Sequence, residues 1–156
     1  MKHQKIKLVT GTVRFESIHL DPDVPNLIDG LPFNYSISLA IPKKQIEDVN
    51  KINQVIEALK KDLPTGAHGG LMEGADPECW YLTAASQQSP GLVDYDLNPI
   101  IDRSEVYAGC TGRVSITVFT FEVLDSFGVA FGLNNIMKQS DGSGFLNSTV
   151  AQEFRP

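Results

Sequence analysis

Two alternating runs separated by a short turn set the strongest limit on how this chain can fold. From Gly112 to Leu124, Val114, Ile116 and Val118 alternate with Arg113, Ser115, Thr117, Phe119 and Phe121. After Asp125-Ser126 the alternation resumes over Gly128 to Met137, with Val129, Phe131 and Leu133 on one side. Side chains on a strand change face at every residue, so each run has one face to bury. Joined so closely, the two runs predict an antiparallel hairpin.

The rest of the chain fits round that hairpin. Lys5 to Phe15 reads as a strand whose phase changes midway. Ile6 and Leu8 are the apolar set first, then Val9, Val13 and Phe15, with Gly11 at the change as a bulge or bend. Lys5, Lys7 and Arg14 then point away from the core. Asp21 to Pro32 reads as a loop punctuated by Pro22, Pro25 and Gly30. Phe33 to Ile41 is a second strand, with Phe33, Tyr35, Ile37, Leu39 and Ile41 on one face. From Pro42 to about Lys61 the apolar positions Ile46, Val49, Ile52, Ile56 and Leu59 recur at helical spacing. Lys43 and Lys44 then fall near that helix's start, against its macrodipole. Pro64 to Asp76, rich in glycine, reads as a flexible loop; Cys79 to Ala85 and Gly91 to Val93 are extended, and Asn98 to Gly109 is a connector. The sum predicts a mainly β chain. Residues 1–138 would form a five-stranded OB-type antiparallel barrel with one inserted α-helix, and residues 139–156 a flexible C-terminal tail. A β-sandwich is the alternative.

A chain of 156 residues is one domain's worth and can bury a sizeable core. It has no apolar run of the roughly 18 residues that a membrane span requires and no secretory signal pattern, so a cytoplasmic place is expected. Cys79 and Cys110 lie too far apart for a zinc or redox motif. Enzyme chemistry leaves little trace. Asp21 and Asp23, and Asp94 and Asp96, are carboxylate pairs in loop sequence; a Mg²⁺-dependent nuclease would have to use the second pair. His3, His19 and His68 have no ligand spacing, and no nucleophile elbow is present. No catalytic residue, metal or cofactor is assigned, and the chain is expected not to be an enzyme.

The formal charge of −6 argues against nucleic acid at first sight, since the usual footprint is basic. The charge is uneven, however. Residues 1–14 carry Lys2, Lys5, Lys7 and Arg14 and no acid, whereas residues 65–100 carry Glu73, Asp76, Glu78, Asp94 and Asp96 and no Lys or Arg. A groove is a local property, so net charge does not exclude one. Single-strand binders combine such cations with aromatic faces on which bases stack. Arg113, Phe119 and Phe121 share the outward face of their strand. Tyr81 lies on the phase opposite to Trp80 and Leu82 and is the better stacking candidate, while Tyr35 and Trp80 are in phase with the core. Tyr107 lies at a loop or strand start.

Longer motifs add a resemblance. Residues 98–116 (Asn-Pro-Ile-Ile-Asp-Arg-Ser-Glu-Val-Tyr-Ala-Gly-Cys-Thr-Gly-Arg-Val-Ser-Ile), residues 128–136 (Gly-Val-Ala-Phe-Gly-Leu-Asn-Asn-Ile) and Asp141-Gly142 follow one another in order. Upstream come Val13-Arg14, Tyr35-Ser36, Ile41-Pro42-Lys43 and Ser89-Pro90-Gly91-Leu92-Val93-Asp94. This pattern, covering nearly the whole chain, resembles a family of single-stranded DNA-binding proteins of tailed phages and prophages. The resemblance implies an OB-fold that binds ssDNA during phage replication or recombination, without catalysis, in the cytoplasm of the bacterial host. Carried over by position, its polar and aromatic members are Arg14, Tyr35, Lys43, Arg103, Tyr107 and Arg113. Gly109, Gly112 and Gly132 match its glycines, for which a backbone role is expected.

The expected DNA contacts are therefore Lys5, Lys7, Arg14, Arg103, Arg113 and Lys138 to phosphate, with Lys43 and Tyr35 from the motifs. Tyr81, Tyr107, Phe119 and Phe121 are expected to stack bases. Expected partners are ssDNA and phage replication or recombination proteins, with self-association left open. The sequence departs from the resembled family's pattern at the end, where Ala-Gln-Glu-Phe-Arg-Pro stands in place of the acidic tail that the family often has. The alternative is a non-enzymatic phage structural or assembly module that uses the same barrel for protein contacts.

Overall fold

A computed structural model describes residues 4–21, 26–28 and 31–142. The strands are β1 (Lys5–Val9), β2 (Val13–His19), β3 (Asn26–Ile28), β4 (Leu31–Phe33), β5 (Tyr35–Pro42), β6 (Cys79–Ser86), β7 (Gly91–Val93), β8 (Thr111–Val123) and β9 (Ser126–Ser140), and the helix α1 spans Ile46–Lys60 between β5 and β6. The predicted hairpin is β8–β9, in antiparallel register from Thr111↔Ser140 to Val123↔Ser126.

The pairings close on themselves. β8 meets β2, β2 meets β5, β5 meets β6, β6 meets β9, and β9 returns to β8. Only the β6–β9 contact in this ring is parallel, through Ala84↔Phe131 and Ala85↔Gly132. This is the five-stranded OB-type barrel, with α1 as its inserted helix. β7 adds to β9 from outside, and β3 and β4 pair in a small separate sheet. Phe15, Leu39, Ile41, Val114, Ile116, Val118 and Ile136 are wholly buried, and Val49, Ile52, Ile56 and Leu59 of α1 join the same cluster. The helical stripe read from the sequence is thus the face that packs against the barrel.

β1 and β2 lie along the same edge of β8 and amount to one bent strand. The bend is built by Thr10 and Gly11. Buried Thr10 donates its N–H to Val114 O, and its Oγ1 accepts the Val114 N–H, both at 3.0 Å. Gly11 N–H donates to Asp48 Oδ1 of α1 at 3.1 Å, and a Cβ at Gly11 would lie 2.2 Å from that carboxylate's other oxygen. The phase change at Gly11 is therefore a close approach between strand and helix. The other edge of β1 pairs with no strand among the described residues. Its Val9 carbonyl accepts from Lys51 Nζ at 3.0 Å.

Three expectations need correction. The helix begins at Ile46 rather than Pro42, because Pro42 still pairs with Cys79 in β5 and Lys43 N–H donates to Glu78 O. Glu47 and Asp48 occupy the first turn, so the apparent conflict of Lys43 and Lys44 with the macrodipole disappears. The stretch read as a loop before Phe33 contains the β3–β4 hairpin. The glycine-rich 64–76 segment is tied down: His68 N–H bonds Phe127 O, Val129 N–H bonds His68 O, and Met72 exchanges two backbone bonds with Tyr81. The expected tail begins outside the described residues except for its first members; β9 continues through Gln139 to Ser140.

Candidate nucleic-acid interface

Strand register places the expected contact residues. One row crosses the barrel wall from β6 to β9: Tyr81 opposite Ala40, Ala40 opposite Arg14, Arg14 opposite Thr111, and Thr111 opposite Ser140. Small residues follow beside it: Thr83, Ser38 and Ser17 form the next row, and Ala85 and Ser36, with His19 at its end, the one after. The Ser38 and Thr83 hydroxyls are 2.7 Å apart. Alternation explains the row, since Arg14 and Tyr81 occupy the phase opposite to Phe15 and Leu82, which are buried. The result is a small-residue floor with a guanidinium and a phenol at one margin.

A second surface lies on β1, β8 and β9. Lys5 stands opposite Phe119, which stands opposite Ala130; Lys7 stands opposite Thr117, which stands opposite Gly132. Phe119 and Phe121 are half-buried, while Lys5, Lys7 and Arg113 are exposed. Arg113 Nε donates to Thr10 O at 2.9 Å, so its guanidinium is anchored to the bend between β1 and β2.

Two further pairs flank the short 3-10 helix at Arg103–Glu105. Arg103 donates to Leu20 O (2.9 Å) and to Ser89 Oγ (3.0 Å), and lies 5.5 Å from the Tyr35 ring centroid. Tyr35 itself is buried, as its phase implies. Lys138 Nζ donates to Glu105 O at 2.6 Å, pairs with Asp141, and lies 5.2 Å from the Tyr107 ring centroid. These contacts tie loops to the barrel. Lys43 stands apart, paired with Glu73 at 2.7 Å and 4.4 Å from the centroid of Trp80.

Electrostatics follow from these partners. The hydrogen bond from Arg14 to Glu16, 2.9 Å long, raises the Arg14 pKa against the opposing pull of burial. Burial pulls Lys138 down, but its hydrogen bond to Asp141 and the surrounding negative groups outweigh that, and its pKa is raised. The same bond holds the Asp141 carboxyl below its ordinary range. Burial, followed by the nearby Asp76, pushes the Cys79 thiol up. Arg14, Lys43 and Lys138 thus each face an acid of their own chain, whereas Lys5 and Lys7 form no ion pair among the described residues.

The expected residues are therefore brought into separate groups rather than one line. Arg14 and Tyr81 share a row, and Lys5, Lys7, Arg113, Phe119 and Phe121 share a face. One face of Tyr81 is already covered: a Cβ at Gly74 would lie 2.4 Å from two of its ring carbons. Trp80 was missed as a surface residue. Its phase points inward, but it stands opposite Ile41 near the barrel's end, where its ring is half-buried beneath Lys43. Asp94, one of the pair considered for a metal, uses Oδ1 to accept the Asp96 and Asn98 N–H groups and so closes a turn. No group of three or more His, Cys, Asp or Glu side chains suited to a metal occurs among the described residues. No helix among them is long and apolar enough to cross a membrane.

The family model described as Enterobacter phage Enc34, ssDNA-binding protein, matches residues 6–155. The chain belongs to this family. Its fold is similar to that of the single-stranded DNA-binding protein of bacteriophage Enc34 in complex with ssDNA: 24% identity, 89% of this chain and 86% of that chain covered, TM-score 0.68. A second structure of the single-stranded DNA-binding protein from bacteriophage Enc34 gives 25% identity over 96% of this chain and 89% of that one, with TM-score 0.67. The fold also resembles gp2.5, a single-stranded DNA-binding protein encoded by bacteriophage T7, at 11% identity over 98% and 96% of the two chains and TM-score 0.59. No curated protein sequence matches the chain.

Proposed function

We propose that this protein binds single-stranded DNA without regard to sequence and protects it during phage DNA replication and recombination, in the cytoplasm of the bacterial host. The observation that carries this reading is the family match over residues 6–155 on a chain whose strands close as an OB-type barrel. The Enc34 relative's structure holds ssDNA, which supports the same ligand here. Binding alone accounts for the role, and no catalytic step is assigned.

In this reading Arg14 takes a phosphate beside the small-residue floor of Ser17, Ser38 and Thr83, where a backbone can approach closely. Lys5, Lys7 and Arg113 take phosphates on the β1–β8–β9 face, where Phe119 and Phe121 offer ring surface for bases. Lys138 and Arg103, with Tyr107 and Tyr35, hold the connecting loops and reach DNA only at their exposed margins. The binding domain extends through Ser140, the end of β9, and the expected tail follows it. Phage replication or recombination proteins are the partners this role calls for, and gel filtration with and without oligonucleotide reads self-association.

The test is titration of fluorescein-labelled oligo-dT at two salt concentrations, with and without Mg²⁺. Affinity is expected to fall steeply with salt, because each neutralised phosphate of a single strand contributes a log–log slope of about −0.7. The oligonucleotide should stay intact with Mg²⁺. Absence of binding at low salt refutes the proposal.

A further inference from the structure

The segment between Met72 and Asp76 arches over the margin of the small-residue floor. Met72 is fixed to the backbone of Tyr81 by two hydrogen bonds of 2.9 and 2.8 Å. Gly74 rests on the Tyr81 ring, and Asp76 N–H donates to the Tyr81 hydroxyl at 3.0 Å. Between these anchors Glu73 reaches Lys43, and Lys43 lies over Trp80. The arch carries carboxylates and no cation. It lays one of them on the lysine that covers Trp80, the residue next to Tyr81 on β6.

We propose that Lys43 over Trp80 is a phosphate subsite for ssDNA, and that Glu73 occupies it in the free protein as an anion of the chain's own. The inference rests on the ssDNA-binding reading and names a regulated contact for the same ligand. The geometry suits an exchange of anions. The carboxylate is 61% exposed and the ammonium 32%, so the pair is a surface one and weakly held. Trp80 also holds the ammonium, by a cation–π contact that does not depend on the anion. When a phosphate displaces Glu73, Lys43 therefore keeps its place. Met72 and Asp76 anchor the arch to Tyr81 on either side of Glu73, so the carboxylate can swing away without unpairing β6. The consequence is a threshold: the last phosphate contact forms only where DNA outcompetes the tethered acid.

The chain contains a single tryptophan, so its emission reports on this subsite directly. The experiment is a double-mutant cycle of Lys43→Ala and Glu73→Gln in the full-length protein, read by anisotropy of labelled oligo-dT at two salt concentrations and by Trp80 emission. Glu73→Gln is expected to tighten binding about threefold, the size of an exposed ion pair. Lys43→Ala should weaken binding and make the salt slope shallower by about 0.7, one single-strand phosphate. In the Lys43→Ala background Glu73→Gln should change nothing. Trp80 emission should shift on adding oligo-dT in the parent protein and not in Lys43→Ala. Glu78→Gln, which removes an acid from the same stretch without freeing a cation, controls for charge alone. Equal tightening by Glu73→Gln with and without Lys43, or by Glu78→Gln, overturns the proposal, as does a Trp80 emission indifferent to DNA. A parent protein that fails to bind oligo-dT at low salt refutes the ssDNA-binding reading and this inference with it; binding without coupling between Lys43 and Glu73 refutes this inference alone.

Discussion

Gly112 is a position where one added carbon should be costly. It pairs with Val13 of β2 on one side and with Lys138 of β9 on the other, so it sits where the barrel closes. A Cβ there would lie 2.0 Å from the Met137 carbonyl oxygen and 2.9 Å from Phe15 Cζ. Neither neighbour can yield easily, since the first is ladder backbone and the second a wholly buried ring. Relief to an ordinary contact of 3.4 Å requires β8 and β9 to part locally. Overpacking of this kind costs roughly 1–3 kcal/mol, and a weakened ladder bond adds about 1 kcal/mol. Against that, alanine reduces unfolded-state freedom by about 0.4–1 kcal/mol. Gly112→Ala should therefore lose about 2–3 kcal/mol, or roughly 5–10 °C in Tm for a chain of this length. Urea unfolding followed by far-UV circular dichroism measures it. Gly132→Ala is the internal control, because its Cβ would meet nothing nearer than 3.6 Å; it should stay within about 0.5 kcal/mol of the parent. A Gly112→Ala variant as stable as the parent, or an equal loss in the two variants, would refute the clash.

Three more outcomes are expected. Arg14→Ala should weaken binding of oligo-dT and of mixed-sequence strands alike, by roughly fivefold, with a salt slope shallower by about 0.7; a loss confined to one sequence in anisotropy titrations contradicts a phosphate role. Leu97 has φ of 68° and is 69% exposed, so Leu97→Gly should relieve strain without losing packing. A gain of about 0.5–1 kcal/mol in urea unfolding is expected, and a loss would show that the leucine side chain is held by something else. Asp141 has its folded pKa lowered by Lys138, so its contribution is present above the unfolded carboxylate pKa and lost as pH falls through the lowered value. Lys138 has a raised pKa, so its share persists below the ordinary lysine range and is lost only as pH rises through the raised value. Asp141→Asn should accordingly lower the urea midpoint at neutral pH and converge with the parent in strong acid; a difference that persists there argues against the ion pair.

The hairpin of β8 and β9, the helical stripe and the inward rows of β5 were legible because each obeys one period over many residues. Gly11 was legible as a break in phase, though not as the point where Asp48 comes close, since nothing local announces a partner from a distant helix. The start of α1 was misplaced because Pro42 serves as well for the end of a strand as for the first turn of a helix. The β3–β4 pairing lay behind Asp29-Gly30, a strong hairpin dipeptide between two short apolar runs, which was read only as loop punctuation. The site was harder. Phase correctly separated Arg14 and Tyr81 from the core, but alternation cannot reveal what lies on top of an outward side chain. Glu73 on Lys43, Gly74 on Tyr81 and Lys43 on Trp80 are contacts between segments that no spacing rule connects.

β1 carries a consequence for how copies of the protein coexist. Its alternate N–H and C=O groups from Lys5 to Val9 face away from β8, and strand edges of this kind recruit other strands. A protein that lines up along DNA holds such edges at high local concentration. Lys5 and Lys7 place like charges on any two copies that approach edge to edge, and Lys51 occupies the Val9 carbonyl at the edge's end. The lysines proposed to take phosphates thus also guard against sheet growth between neighbours. If the proposed phosphate role holds, replacing both with neutral residues would weaken DNA binding and remove that protection together.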